Sequence, residues 1–256
     1  MKTKRTLLSL LIIFFFSAAM FSQGPVVKLN YMKVTPGMES EYLEVEKKWK
    51  EIHQKKVKLG ICDGWQLWRK LYTGTEDAYN YIAIDWYKDF PSSFESYPDG
   101  FAEGLMTEKE IDDLFARTGK SRSMVRQEMS YRIMMEDDEE SASKYIVLNR
   151  MKVDGSSGEN YLDVEGTIWR PIHKKAIEQG YRTHWAVWGV WPRHEGEAQY
   201  VTVDGYDSPE QFVSGDVKLE DVHPGMTWAE VGQKTDKTRD FISSEVWELV
   251  DFVFPE

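Results

Sequence analysis

The chain carries one stretch of sequence twice, and nothing else about it constrains the fold as tightly. Leu29-Asn30-Tyr31-Met32-Lys33-Val34 returns as Leu148-Asn149-Arg150-Met151-Lys152-Val153, at an offset of 119. Tyr42-Leu43-Glu44-Val45-Glu46 returns as Tyr161-Leu162-Asp163-Val164-Glu165. At offset 120, Trp49, Ile52, His53, Gly60, Trp65 and Trp68 meet Trp169, Ile172, His173, Gly180, Trp185 and Trp188. Tyr81, Asp85 and Tyr87 meet Tyr200, Asp204 and Tyr206; near the ends, Thr118, Lys120, Arg122 and Glu128 meet Thr235, Lys237, Arg239 and Glu245. Matches in one order and at a near-constant spacing mark a tandem duplication. The acidic run Glu136 to Ser143 reads as a solvated connector. It separates repeat 1 (25–135) from repeat 2 (144–256).

Each repeat spells the same elements. Val26 to Val34 is β-rich and stops at Thr35-Pro36-Gly37, a strand and a turn. Met38, Tyr42, Val45, Trp49, Ile52 and Val57 recur at helical steps, and Gly60 ends that helix. Trp65 to Tyr72 and Tyr79 to Tyr87 read as strands around the turn Thr73 to Asp77. A second helix is expected near Glu108 to Ala116, and Met124 to Met134 is the last strand. The order is βαββαβ, the split ferredoxin-like unit, in an α+β protein. In repeat 2 the first helix is one residue longer and contains Pro171, which predicts a kink or bulge.

The first 22 residues stand apart. Lys2, Lys4 and Arg5 precede an apolar run from Leu7 to Phe16, then small residues, the order of a secretory signal peptide. That run is shorter than the roughly 20 residues of a membrane span. The expectation is export, to a periplasmic or secreted location, with no membrane insertion after cleavage. Losing those three positive charges takes the formal charge from −11 to −14. So acidic a surface argues against nucleic acid as a partner. Cys62 is the only cysteine, so no internal disulfide can form and stability must come from packed cores.

A βαββαβ unit covers one face of its sheet with helices, and the bare face needs a partner. Two units in one chain can supply it to each other as an internal pseudo-dimer, with further oligomerisation left open. On these elements the chain resembles the dimeric α/β-barrel superfamily, which includes antibiotic-biosynthesis-type monooxygenases, haem-degrading monooxygenases and NIPSNAP-like proteins. The resemblance implies two units packed sheet to sheet, with ligands between sheet and helices. With the apolar faces of the first and third strands turned to the helices, Asn30 and Trp86 are expected to converge on that cleft, and they match the asparagine and tryptophan of the haem-degrading members. Those members' histidine has no counterpart here, and repeat 2 keeps Asn149 but has Gly205 for the tryptophan. No cofactor is expected.

The residues themselves offer further candidates. Glu46, Trp49 and His53 are spaced i, i+3 and i+7, so they share a helix face, and Glu165, Trp169 and His173 repeat them. A buried histidine beside a carboxylate can act as a general base or as a pocket hydrogen-bond donor; equally, the two groups can simply satisfy one another. Arg122 and Arg239 could fork onto a carboxylate or phosphate, or pair with local carboxylates. Asp85 and Asp204, with Tyr81 and Tyr200, are expected to face the barrel interior. No histidine or cysteine spacing suggests a metal site. Two functions are consistent with these features. One is a small-molecule ligand in a Trp-lined pocket of each unit, with His53 or His173 as base and Asn30 or Asn149 holding a substrate oxygen, as in cofactor-independent oxygenation. The other is a non-catalytic exported binding or scaffold protein.

Overall fold

The computed structural model describes residues 24–95, 98, 101, 104–137, 143–153, 158–191, 197–215 and 217–255. The proposed leader and the centre of the acidic connector lie outside them. Residues with alternating apolar side chains form the first strand, β1 (Val26–Val34), and Gly37 turns the chain with φ of +79°. Helix α1 (Glu39–Lys58) follows, carrying Glu39 and Glu41 in its first turn and three lysines in its last. Both placements suit the helix dipole. Gly60, at φ +68°, closes α1 in the left-handed conformation that glycine adopts without strain. Next come β2 (Gly64–Lys70), β3 (Tyr81–Tyr87), α2 (Glu108–Ser121) and β4 (Arg122–Asp137). Glu136 and Asp137, read above as connector, therefore belong to a strand.

The second half repeats the order: β5 (Tyr145–Lys152), a first helix, β6 (His184–Trp191), β7 (Tyr200–Tyr206), α5 (Trp228–Asp236) and β8 (Asp240–Val253). Helices α2 and α5 start with the same capping box, Thr107 with Glu110 and Thr227 with Glu230. Each box satisfies two helix N–H groups that otherwise lack partners, worth roughly 1 kcal/mol. The first helix of repeat 2 is broken as its sequence predicts. Segment α3 (Gly158–Val164) passes through a π-helical turn at Glu165–Trp169 into α4 (Arg170–Glu178). The wide turn absorbs the extra residue and returns Trp169 and His173 to register. Pro171 sits in the first turn of α4, where its missing N–H costs little.

All strand pairs are antiparallel, and the eight strands close in the order β1-β3-β2-β8-β5-β7-β6-β4. Each half is a four-stranded sheet, and two seams join them. Strand β2 pairs with β8 from Trp65↔Val253, and β4 pairs with β6 from Met129↔Trp191 to Asp137↔His184. The bare sheet faces thus meet as expected, with their edges bonded as well, which removes the exposed edges of an open sheet.

Position parity sorts the side chains. Val27, Leu29, Tyr31, Trp68, Ile82, Ile84, Ile146, Leu148, Trp188 and Trp247 point into the barrel as one cluster. The opposite faces carry Met32, Trp65 and Tyr81 beneath Tyr42, and Met151, Trp185 and Val187 beneath Tyr161. One end of the interior is plugged by a polar network. Arg150 bonds Glu128 at 3.3 Å and the Tyr31 hydroxyl at 2.5 Å. Glu245 accepts from Tyr79 at 2.5 Å and from the Trp247 indole at 3.0 Å. Glu128 and Glu245 are repeat equivalents, so both halves send a carboxylate to this plug.

Candidate functional site

The residues kept in both halves gather between helix and sheet. His53 Nδ1 lies 3.3 Å from Asp85 Oδ1, and Lys56 Nζ reaches the same oxygen at 2.9 Å. Asn30 donates to Asp85 Oδ2 at 3.3 Å and accepts from Gln127 at 2.7 Å. Repeat 2 rebuilds the cluster with a different cation. His173 Nδ1 lies 3.5 Å from Asp204, Asn149 donates to Asp204 at 3.2 Å, and Arg182 pairs with that carboxylate. Lys56 comes from a helix and Arg182 from the loop before β6, yet each delivers a positive charge to the same spot. Each imidazole stacks on an indole: His53 on Trp65 at 4.9 Å and His173 on Trp185 at 4.7 Å.

This arrangement corrects several expectations. Glu46 and Glu165 do not orient the histidines. Glu46 takes Arg122 at 3.0 Å, and Glu165 takes Arg239. The two arginines are therefore committed to buried carboxylates instead of a ligand. Asp85, Asp204, Tyr81 and Tyr200 face the helices, not the barrel interior. Asn30 and Trp86 do not converge. Trp86 pairs with Val27 across β1 and β3, whereas Asn30 pairs with Ala83, so the two side chains leave opposite faces of the sheet. Trp49 and Trp169 donate to Thr118 at 2.9 Å and Thr235 at 3.0 Å, fastening the first helix of each repeat to the second.

The electrostatics suit a bonded core layer. Burial lowers the His53 pKa against the pull of Asp85, which favours a neutral ring. Burial alone would raise Asp85, but the His53 hydrogen bond and the Lys56 charge outweigh it and hold the carboxyl well below its usual range. Burial pushes Glu165 up to about 7, with Arg239 opposing, and shifts Glu46 in the same direction against Arg122. A cleft of about 310 Å³ beside α1 touches Glu46 and Leu67 but neither histidine.

The larger space lies inside the barrel. A cavity of about 510 Å³ begins at the polar plug, where Glu128 and Trp247 line it, and extends towards Asp137, His184 and Phe254. Its walls are apolar, including Leu29, Ile84, Ile146, Leu148 and Val201, with four indoles, Trp68, Trp86, Trp188 and Trp247. Gln66 Oε1 accepts from Trp68 at 3.3 Å and from Trp86 at 3.0 Å. Two donors can share only the oxygen, so this fixes which way the amide points and leaves its NH2 as a donor. Trp86 and Trp188, from opposite halves, meet edge to face at 5.7 Å. At the rim Asp137, His184 and Phe254 are partly exposed, so the cavity reaches solvent there. Of the sequence candidates only Trp86 lines it; Gln66, Glu128, Asp137, His184 and Phe254 were not singled out. The repeat pairs Leu29 and Leu148 and Trp68 and Trp188, which line the cavity, and Glu128 with Glu245 were the available hints.

No family model matches the chain, and no curated protein sequence matches it. Solved structures do. A provisionally assigned monooxygenase from Fusobacterium nucleatum superposes with a TM-score of 0.56 at 9% identity, covering 91% of this chain and 95% of that one. A second provisionally assigned monooxygenase, from Lactobacillus acidophilus, gives 0.52 at 13%, covering 91% and 97%. An anthrone oxidase-like protein gives 0.51 at 12%, covering 91% and 93%. Identities this low speak to architecture alone. The chain has the dimeric α/β-barrel fold of two ferredoxin-like units, with both units on one polypeptide.

Proposed function

We propose that the protein is an exported binder of one small, largely apolar or aromatic molecule, held inside the barrel. The observation that carries this reading is the indole-walled cavity. Eight-stranded barrels have interiors just wide enough to fill with side chains or to hold one small ligand. Here one end is filled and the other is hollow, and about 510 Å³ falls in the range of small-molecule sites. A mostly apolar wall with few polar groups suits such a ligand, with the Gln66 amide as a fixed handle. Export follows from the leader-like first 22 residues.

Calorimetry and thermal shift with a neutral probe, 1-naphthalenemethanol, test the reading. Saturable binding is expected, with stabilisation of about 2.7 kcal/mol at a hundredfold excess over Kd. Val203→Trp, which fills the cavity, should abolish binding, and His53→Ala should leave it intact. The reverse pattern would move the site to the helix layer.

Turnover of the bound molecule is a second reading. Its support is the fold shared with the two provisionally assigned monooxygenases, together with an imidazole, His184, in the cavity wall. An oxygen electrode tests it: consumption that depends on the bound molecule and falls in His184→Gln supports an oxygenase, and no consumption leaves a binder.

A further inference from the structure

The mouth of the cavity has two unlike walls. On one side stand Gly64, Trp86 and Phe254. Their repeat equivalents on the other side are His184, Gly205 and Asp137, at offsets of 120, 119 and 117. Each side has one glycine, in swapped positions. Gly64 pairs with Trp86 across β2 and β3, and His184 pairs with Gly205 across β6 and β7. Both glycines are needed where they stand. A Cβ at position 64 would overlap the Phe254 ring, and one at position 205 would come within 2.7 Å of the His184 Cβ and overlap the Ser143 hydroxyl. Phe254 meets Trp86 edge to face at 6.1 Å, so this wall is aromatic. The opposite wall is polar. Asp137 and His184 are cross-strand partners on β4 and β6, and both line the cavity. Directly opposed residues hold their Cβ atoms roughly 4.5–5.5 Å apart.

Charge gives this asymmetry a direction. The lining includes two carboxylates, Glu128 and Asp137, and among the described residues no lysine or arginine. Glu128 is already balanced by Arg126 and Arg150 in the plug. Asp137 makes no ion pair among the described residues. An anion entering this space would lose water and meet no lysine or arginine, whereas a cation would meet a carboxylate in an indole-lined space.

We infer that the cavity selects a monocationic amine on an aromatic or apolar body, the ring against Trp86, Trp188 and Phe254 and the ammonium at the Asp137–His184 wall. This rests on reading the cavity as a binding site, and the test separates the two. Calorimetry at neutral pH compares three probes of one shape: 1-naphthylmethylamine, 1-naphthalenemethanol and 1-naphthoate. The amine should bind about tenfold or more tighter than the alcohol, and the acid weakest. Asp137→Asn should bring the amine to the alcohol's affinity and leave the alcohol unchanged. Equal binding of amine and alcohol, or preference for the acid, would overturn the inference while the binding site stands. Failure of all three to bind would overturn the site as well. The charge series on the unaltered protein decides the matter even if a variant misfolds.

Discussion

The layer between helices and sheet is nearly the same in both halves, whereas the barrel interior keeps only part of its pattern: Leu29/Leu148, Trp68/Trp188 and Glu128/Glu245 recur, but the positions around the cavity mouth do not. Asn30, Glu46, Trp49, His53, Trp65, Asp85 and Arg122 all recur unchanged in repeat 2. In the interior Gly64 faces His184, Gln66 Ala186, Trp86 Gly205, Ser130 Trp247 and Phe254 Asp137 as repeat equivalents. The first set fastens a helix to a sheet, a task each half must perform for itself. Of the second set, Gln66, Trp86, Ser130, Asp137, His184, Trp247 and Phe254 line one shared cavity, where the halves are free to contribute different groups. The fastening of helix to sheet is therefore kept in both repeats, and the divergence is concentrated at the mouth of the candidate site.

This contrast can be broken experimentally, and the helix layer should give the largest effects. Arg239→Leu leaves Glu165 buried without its partner, and Arg122→Leu does the same to Glu46. Each should cost about 3–5 kcal/mol in denaturant unfolding. If either costs under about 1 kcal/mol, its pair is not a fastening. In the interior, Gly64→Ala forces Phe254 off its seat and Gly205→Ala crowds His184. Each should cost roughly 1–3 kcal/mol by overpacking, and the first should also alter probe binding.

Two buried carboxyls of the helix layer, Glu165 and Asp85, should respond to pH with opposite signs. Burial raises the Glu165 pKa from 4.5 to about 7, so the folded state holds its proton more tightly than the unfolded state. Its contribution is complete below the unfolded pKa and is lost as pH rises through about 7, at most roughly 3 kcal/mol. Asp85 is depressed, so its contribution is present above pH 4 or so and is lost as pH falls below that. Glu165→Gln should flatten stability between about pH 5 and 8, and Asp85→Asn should remove part of the acid limb. Unfolding midpoints across pH check both; an unchanged slope in Glu165→Gln would contradict the assignment. The smallest effect is expected at Pro171→Ala, under about 1 kcal/mol, because the inserted residue and not the proline sets the π-helical turn.

Much of the fold was legible in the sequence because repetition and periodicity are local signals. The strand Val26–Val34, the helix Glu39–Lys58 and the break before Pro171 all lie where spacing places them. The face of each strand was not legible. In β1, Val27, Leu29 and Tyr31 are as apolar and as buried as Val26, Met32 and Val34. When both faces are buried, alternation cannot say which looks at a helix and which at the barrel. Asn30 and Trp86 were paired across the sheet for that reason. The partner of His53 was missed on similar grounds. Helical spacing put Glu46 on its face, but the carboxylate that meets it is Asp85 on β3, a long-range contact that spacing within a helix does not encode.

A crystal structure of the protein soaked with 1-naphthalenemethanol examines the main claim by direct sight. Ring density between Trp86 and Trp188, with the His53 and His173 clusters unchanged, is the outcome this account predicts. Density beneath the helices, or an interior in which the indoles close up and exclude the probe, would contradict it.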